Sequence, residues 1–177
     1  MRSNNSGDLT GLAARIPRVR RAHPDEAEDL TRLARRSKAH WGYSPEFLDA
    51  AMPDLRIETE QVGAGRVFVI ERADALIGFC AIQSFEQSPD RVSLSHCFVD
   101  PEFLGQNYGR LLWNYALREL RRNYPRVRRL FVVSDPNAVG FYLKCGARAD
   151  GYEASIVDAK RLLPRLVYEI PSKSTRH

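Results

Sequence analysis

No run of apolar residues in this chain approaches the length of about 18 that a membrane-spanning helix needs, so an integral membrane protein is not expected. The first residues, MRSNNSGDLTGLAARIP, lack the continuous apolar centre of a secretory signal peptide, and the expected location is cytoplasmic. Cysteine is scarce. Cys80, Cys97 and Cys145 are odd in number, widely spaced and embedded in apolar or helical patterns, which speaks against a disulfide framework and a zinc site and for reduced thiols in a core. A GxxxxGK[ST] phosphate loop is missing, which weakens any ATPase reading. Zinc spacing, a recognisable helix-turn-helix and an RNP-like aromatic strand are missing too, so a nucleic-acid partner is not expected despite a net charge of +5.

What is present describes an ordinary globular protein. At 177 residues, 44% hydrophobic and 28% charged, the chain suffices for one domain with a sizeable core. Residues 1–14 are polar, small and patternless and read as a flexible tail, leaving 15–177 as a single domain. The basic residues are dispersed except in RRNYPRVRR, residues 121–129, which reads as a basic helix end or a contact for a phosphate-bearing ligand.

Hydrophobic periodicity supplies the elements. IPRVRRA alternates as a strand, and Pro24 with Asp25 and Glu26 opens a helix whose buried face carries Ala27, Leu30, Leu33, Ala34 and Ser37. Ser44-Pro45 starts a second, short helix, closed by Pro53. RVFVIERADALIGFCAIQSF and DRVSLSHCFVD hold three strands of an antiparallel meander. A long helix, GRLLWNYALRELRR, follows, with Leu111, Leu112, Tyr115, Ala116 and Leu120 expected against the sheet. RRLFVVS is a buried strand, DPNAVGFYLKCGA a short helix stopped by Gly146, and RLLPRLVYEI a last strand after a polar connector. The expected order is β-α-α-β-β-β-α-β-α-β, with one parallel crossover through the long helix.

Between the last meander strand and the long helix lies a loop with two glycines. A helix start leaves backbone N–H groups without partners and carries partial positive charge, so such a loop can bind phosphate oxygens. Gly105 and Gly109 permit close backbone approach, and Asn107 tolerates the left-handed conformation between them. A plain tight turn is the alternative. The strand before the loop belongs to a meander, unlike the first strand of a dinucleotide-binding βαβ unit.

This strand, its V-x-P-like exit, the loop and the helix start together resemble the core of the GCN5-related N-acetyltransferases, whose loop reads [RQ]-x-x-G-x-[GA]. Here the residues are FVDPEF and then Leu104-Gly105-Gln106-Asn107-Tyr108-Gly109. Leu104 stands where the family has Arg or Gln, and Asn107 where it has its central glycine. DPNAVGFYLKCGA is similar to the family's N-A-x-x-F-Y-x-x-x-G segment, with Asn137 and Tyr142 in its two functional places.

The resemblance implies an α/β fold of the α+β kind, with a mixed, mostly antiparallel sheet flanked by helices. It implies an enzyme that moves an acetyl group from acetyl-CoA, the acyl donor, directly to a primary amine of a small molecule or protein, without a metal. The alternative is a non-catalytic module of the same fold that binds or senses coenzyme A. Phe98 and Val99 are implied to hold the pantetheine arm, Leu104 through Arg110 (Gly105, Gln106, Asn107, Tyr108 and Gly109 between them) the pyrophosphate, Asn137 to contact the cofactor and Tyr142 to lie near its sulfur. Tyr142 is the expected acid for the departing thiolate. The meander strand carries no carboxylate for a base, and His96 is the candidate, with a packed core histidine as the alternative. Cys97 and Cys145 are read as packing rather than as acyl-enzyme nucleophiles. Trp41 and Tyr43 lie where the family places its variable substrate lid. The acceptor itself carries no readable code, and pairing of two copies is left open.

Overall fold

The computed structural model describes residues 16–85 and 88–171, so the expected tail at 1–14 lies outside the described residues. The elements, in chain order, are β1 (Arg18–Arg21), α1 (Ala27–Ala39), α2 (Pro45–Ala50), α3 (Met52–Leu55), α4 (Thr59–Gly63), β2 (Val67–Arg72), β3 (Ala75–Ser84), β4 (Arg91–Val99), α5 (Tyr108–Asn123), β5 (Arg129–Val133), α6 (Val139–Lys144), β6 (Arg148–Ala154) and β7 (Leu162–Glu169). The strands form one sheet in the order β1-β2-β3-β4-β5-β7-β6. Only β4 and β5 run parallel, as the crossover through the long helix requires.

Each helix buries the face its sequence period offers. The buried residues of α1 are Ala27, Leu30, Leu33, Ala34 and Ser37, the predicted set, and they pack with Val67, Val69, Phe79 and Ala81 on one face of the sheet. On the other face α5 packs over Phe68, Ile70, Ile77, Cys80, Leu94 and Val99. Its stripe is rotated from the predicted one. Trp113 and Leu117 are buried, whereas Leu111 is 41% exposed, because the large indole fills the interior against Tyr142 and Tyr168. Among the described residues no helix is long and apolar enough to cross a membrane.

Two expectations are corrected. Pro53 does not end the helical region after Ser44: Ser44 does cap α2, accepting from Phe47 N at 3.2 Å, but Pro53 sits in the first turn of α3, where its missing N–H costs nothing. Residues 148–154, taken as a polar connector, form the edge strand β6 against β7. Its seven residues are nearly all exposed, so they carry no buried alternation for a sequence reading to detect.

Two features of β4 position everything that follows. Ala81 pairs with His96 and Ile82 with Leu94, so Ser95 is an extra residue in the strand, a bulge that switches the facing of the residues after it. Leu94 faces the α5 side, and beyond the bulge Cys97 and Val99 take that side while His96 and Phe98 turn toward α1. Second, β4 pairs with β5 only over Arg91–Ser93, matched to Arg129–Phe131. Beyond that point the two strands part.

Gly78 on β3 supports the free half of β4 from behind. A Cβ there would meet the Phe98 carbonyl oxygen at 2.6 Å and Val99 Cα at 3.1 Å, both backbone atoms that cannot step aside. Gly78→Ala should therefore lower the urea-unfolding free energy by about 1–3 kcal/mol, the usual cost of overpacking. Unchanged unfolding in this variant would show that β4 is not fixed at this distance.

Candidate functional site

The gap between the parting strands is a cavity of about 580 Å³, bounded on one side by Leu94, Ser95, Cys97, Phe98 and Val99 and on the other by Val132, Val133, Ser134 and Asp135. Backbone groups of β4 that would have bonded β5 have no strand beside them past Ser93. Such groups need a hydrogen-bonding partner, which an extended amide-bearing ligand can supply. Phe98 and Val99 stand at this edge.

One end of the cavity is formed by the glycine loop and the start of α5. Gly105 has φ +76° and Asn107 has φ +66°, so the left-handed conformation predicted for the loop occurs at both positions. Asn107 is the N-cap of α5 and no acidic residue occupies its first turn, which leaves the helix's positive end facing the cavity. Gly109 has a different reason to be glycine. A Cβ there would lie 3.3 Å from the Phe141 ring, so its absence lets the start of α5 close onto α6. Leu104, Tyr108 and Arg110 also line this end, and Arg110 Nη2 donates to the Lys144 carbonyl at 2.7 Å. Gln106 does not line it: its side chain turns back to donate to the Glu102 carbonyl at 3.4 Å. Lys144, which no motif singled out, adds a second cation.

In the middle of the cavity stand Asn137 and Tyr142. Asn137 follows the turn after β5, its N and Nδ2 both donating to Asp135 Oδ1 at 3.0 Å. Tyr142 is 6% exposed, its ring held by Trp113 and Phe141. Burial, with the neighbouring Cys97 thiol as the next cause, holds its hydroxyl well above the ordinary tyrosine range, so it keeps its proton at neutral pH. Burial also pushes the Cys97 thiol up to about 12, which removes the thiolate a covalent mechanism needs.

The opposite end is built by α1, α3 and β6. Trp41 lines it, 43% exposed. Tyr43 does not line the cavity. It is anchored beside it, donating to Asp135 Oδ2 at 2.8 Å, accepting from Arg161 Nη2 at 2.6 Å and stacking on Phe47. His96 is not brought to the cavity either: it packs with Phe79 and Phe98 on the α1 side of the sheet, 8% exposed, with Nδ1 3.0 Å from Ser95 Oγ. Two carboxylates do line this end, Asp54 of α3 and Glu153 of β6, and among the described residues no salt bridge engages either. Burial raises the Asp54 carboxyl above its ordinary value, opposed by the charge of Lys38. Neither residue belongs to a motif, and both lie where the structure departs from the sequence expectation, Asp54 beyond the helix end expected at Pro53 and Glu153 in a strand where a connector is expected.

A family model described as the acetyltransferase (GNAT) family matches residues 28–147. The fold is similar to that of the PaiA N-acetyltransferase of Thermoplasma acidophilum in complex with coenzyme A, with TM-score 0.71 and 18% identity over 87% of this chain and 99% of that one. It is similar to the ribosomal-protein-S18-alanine N-acetyltransferase of Escherichia coli, with TM-score 0.63 and 14% identity over 92% of this chain and 99% of that one. N-acetylglutamate synthase of Neisseria gonorrhoeae, complexed with coenzyme A and N-acetyl-glutamate, gives 0.64 and 19% over 88% of this chain and 35% of that one. At these identities the likeness is one of fold. None of the curated proteins matches the chain by sequence.

The environment of His96 makes a prediction. Burial lowers its pKa from 6.5 to about 4, the Asp54 backbone carbonyl opposing the drop. The unfolded chain therefore binds a proton that the folded one refuses as pH falls from about 6.5 toward about 4, and stability declines through that window by an amount on the order of 3 kcal/mol. His96→Gln removes this contribution. Urea unfolding at about pH 7.5 and about pH 4.5 should show a smaller acid loss in the variant than in the wild type; equal losses would mean that His96 titrates normally in the fold.

Proposed function

The chain belongs to the acetyltransferase (GNAT) family, and we propose that it is an N-acetyltransferase that moves the acetyl group of acetyl-CoA directly to a primary amine. The observation that carries this reading is the polarity of the cavity. A free helix N-terminus with Arg110 and Lys144 marks one end, a buried protonated tyrosine the middle, and Asp54 and Glu153 the other, where the Lys38 cation is paired with Asp135.

The first end suits the phosphates of the donor, as backbone N–H groups and two cations face them. The open edge of β4 suits an extended pantetheine arm, with Phe98 and Val99 supplying backbone groups and Asn137 standing opposite. An amine entering past Trp41 meets the carboxylates. It must lose its ammonium proton before it attacks, and Asp54, made a better proton acceptor by burial, is assigned that role in place of His96. The amine nitrogen bonds to the thioester carbonyl carbon, the C–S bond breaks, the Tyr142 hydroxyl delivers a proton to the departing sulfur, and the second proton that the nitrogen sheds on becoming an amide restores that hydroxyl. No enzyme nucleophile takes part, consistent with the raised Cys97 thiol. Much of the acceleration comes from holding the two substrates in one narrow gap.

Calorimetric titration with acetyl-CoA, free coenzyme A and dephospho-coenzyme A tests the first half of this reading. Wild type should bind, and Gly109→Val, which forces side-chain atoms onto Phe141 and the cavity floor, should lose that binding. Thiol release with a panel of amines tests the second half. Tyr142→Phe should lower kcat by roughly a hundredfold or more, the usual contribution of a positioned acid, with acetyl-CoA affinity nearly unchanged. Binding without turnover on any amine would favour the non-catalytic coenzyme A module; no binding by folded wild type would remove both readings.

A further inference from the structure

The two strands that frame the cavity end alike. β4 runs into Asp100-Pro101 and β5 into Asp135-Pro136, each opening a short 3-10 turn. In both turns one carboxylate oxygen caps its own turn, Asp100 Oδ1 accepting from Glu102 N at 3.2 Å and Asp135 Oδ1 from Asn137 N at 3.0 Å. In both, the other oxygen accepts from the last turns of α1: Arg36 Nη2 reaches Asp100 Oδ2 at 2.6 Å, and Lys38 Nζ reaches Asp135 Oδ2 at 3.2 Å. One helix thus holds both lips of the cleft.

The two lips differ in what else they hold. Asp135 Oδ2 also accepts from the Tyr43 hydroxyl, which in turn accepts from Arg161 of the β6–β7 connection. Lys38 and Arg161 both lie over the Tyr43 and Phe47 rings, at 4.9–5.9 Å from the centroids. The Asp135 side chain is only 13% exposed and that of Lys38 16%, so this pair is poorly screened, whereas Arg36 at the other lip is 55% exposed. Tyr43 and Phe47 belong to the segment that also carries Trp41, at the acceptor end.

We propose that Asp135 is a positioning residue that divides its two oxygens between the two ends of the cavity: Oδ1 presents Asn137 to the acyl donor, and Oδ2 clamps the acceptor-side lid through Lys38, Tyr43 and Arg161. This rests on the transferase reading above. Asp100 braces the opposite lip without touching the lid.

Isosteric and truncating variants separate the two oxygens. Asp135→Asn keeps a carbonyl oxygen for Asn137 but loses the charge and places an amide N–H₂ among the donors of the lid. It should raise the KM for the amine about tenfold, as expected when a charged hydrogen-bond acceptor is lost, while the Kd for acetyl-CoA stays within about twofold. Asp135→Ala should raise both. Asp100→Asn should leave the amine KM as in wild type. Acrylamide quenching of Trp41 gives a readout in the free protein, since Trp113, the other indole, is 1% exposed. Quenching should increase in Asp135→Asn and not in Asp100→Asn. Wild-type amine KM and quenching in Asp135→Asn would overturn the proposal, as would a fall in kcat alone, or acetyl-CoA Kd values as weak in Asp135→Asn as in Asp135→Ala. The expected quenching difference between Asp135→Asn and Asp100→Asn, in a protein whose wild type neither binds acetyl-CoA nor acetylates any amine, would instead defeat the transferase reading, leaving the lid clamp supported.

Discussion

The structure depends on a pairing that stops early. β4 and β5 share three registered residues and then separate, although both strands continue. Two parallel strands that part leave backbone donors and acceptors unpaired and apolar side chains unpacked, and both are costly unless something else covers them. The fold limits the cost by flanking the gap. Gly78 lets β3 come close behind β4, α5 and α6 close over one side with Gly109 against Phe141, and α1 ties both strand ends through Arg36 and Lys38. What remains open is the cavity of about 580 Å³ between the two strands.

Much of this was legible in the sequence, and what was not has identifiable causes. The face of α1 was read residue for residue because its period is regular and its five buried positions are small or aliphatic. The glycine loop was legible because positive φ restricts residue type, and Gly105 and Asn107 both adopt it. The motif around Asn137 and Tyr142 was local, and the short helix there brought both to the cavity. His96 was misjudged for a reason that no local pattern reveals. In SLSHCFV plain alternation puts His96 on the face of Leu94, but the bulge at Ser95 shifts the phase, so His96 goes to the α1 side and Cys97 to the cavity. Asp54, Glu153 and Asp135 gain their places from long-range packing, which a single sequence does not display. Tyr43 was placed near the right element but in a different role, anchoring the lid rather than lining the cavity.

Burial fixes protonation states in the middle of the cavity, and the two effects there have a common origin. The same apolar surroundings disfavour a phenolate at Tyr142 and a thiolate at Cys97. A tyrosine kept protonated is useful where a thiolate must leave, because the leaving sulfur is itself entering a low-dielectric site and gains most from a proton at that moment. A cysteine kept protonated is useful for the opposite reason: it is inert toward a thioester lying beside it. In the proposed transfer the chemistry is thus confined to the incoming amine.

That confinement places a demand on the acceptor end. Carboxylates attract an ammonium ion, yet an ammonium ion cannot attack a carbonyl, so the group that draws the acceptor in must also relieve it of a proton. An exposed carboxylate with an ordinary pKa attracts well but accepts poorly. Burial shifts Asp54 in the direction that improves acceptance, and Lys38 opposes that shift. Lys38 is not free to cancel it outright, because its charge is shared with Asp135, whose own carboxyl is held below the usual range by the Asn137 N–H and by Tyr43 and Lys38 against the cost of burial. The Asp135 pair thus holds the same lysine whose charge opposes the Asp54 shift, and burial outweighs that charge. In the proposed transfer, recognition of the cation and removal of its proton then meet in one residue.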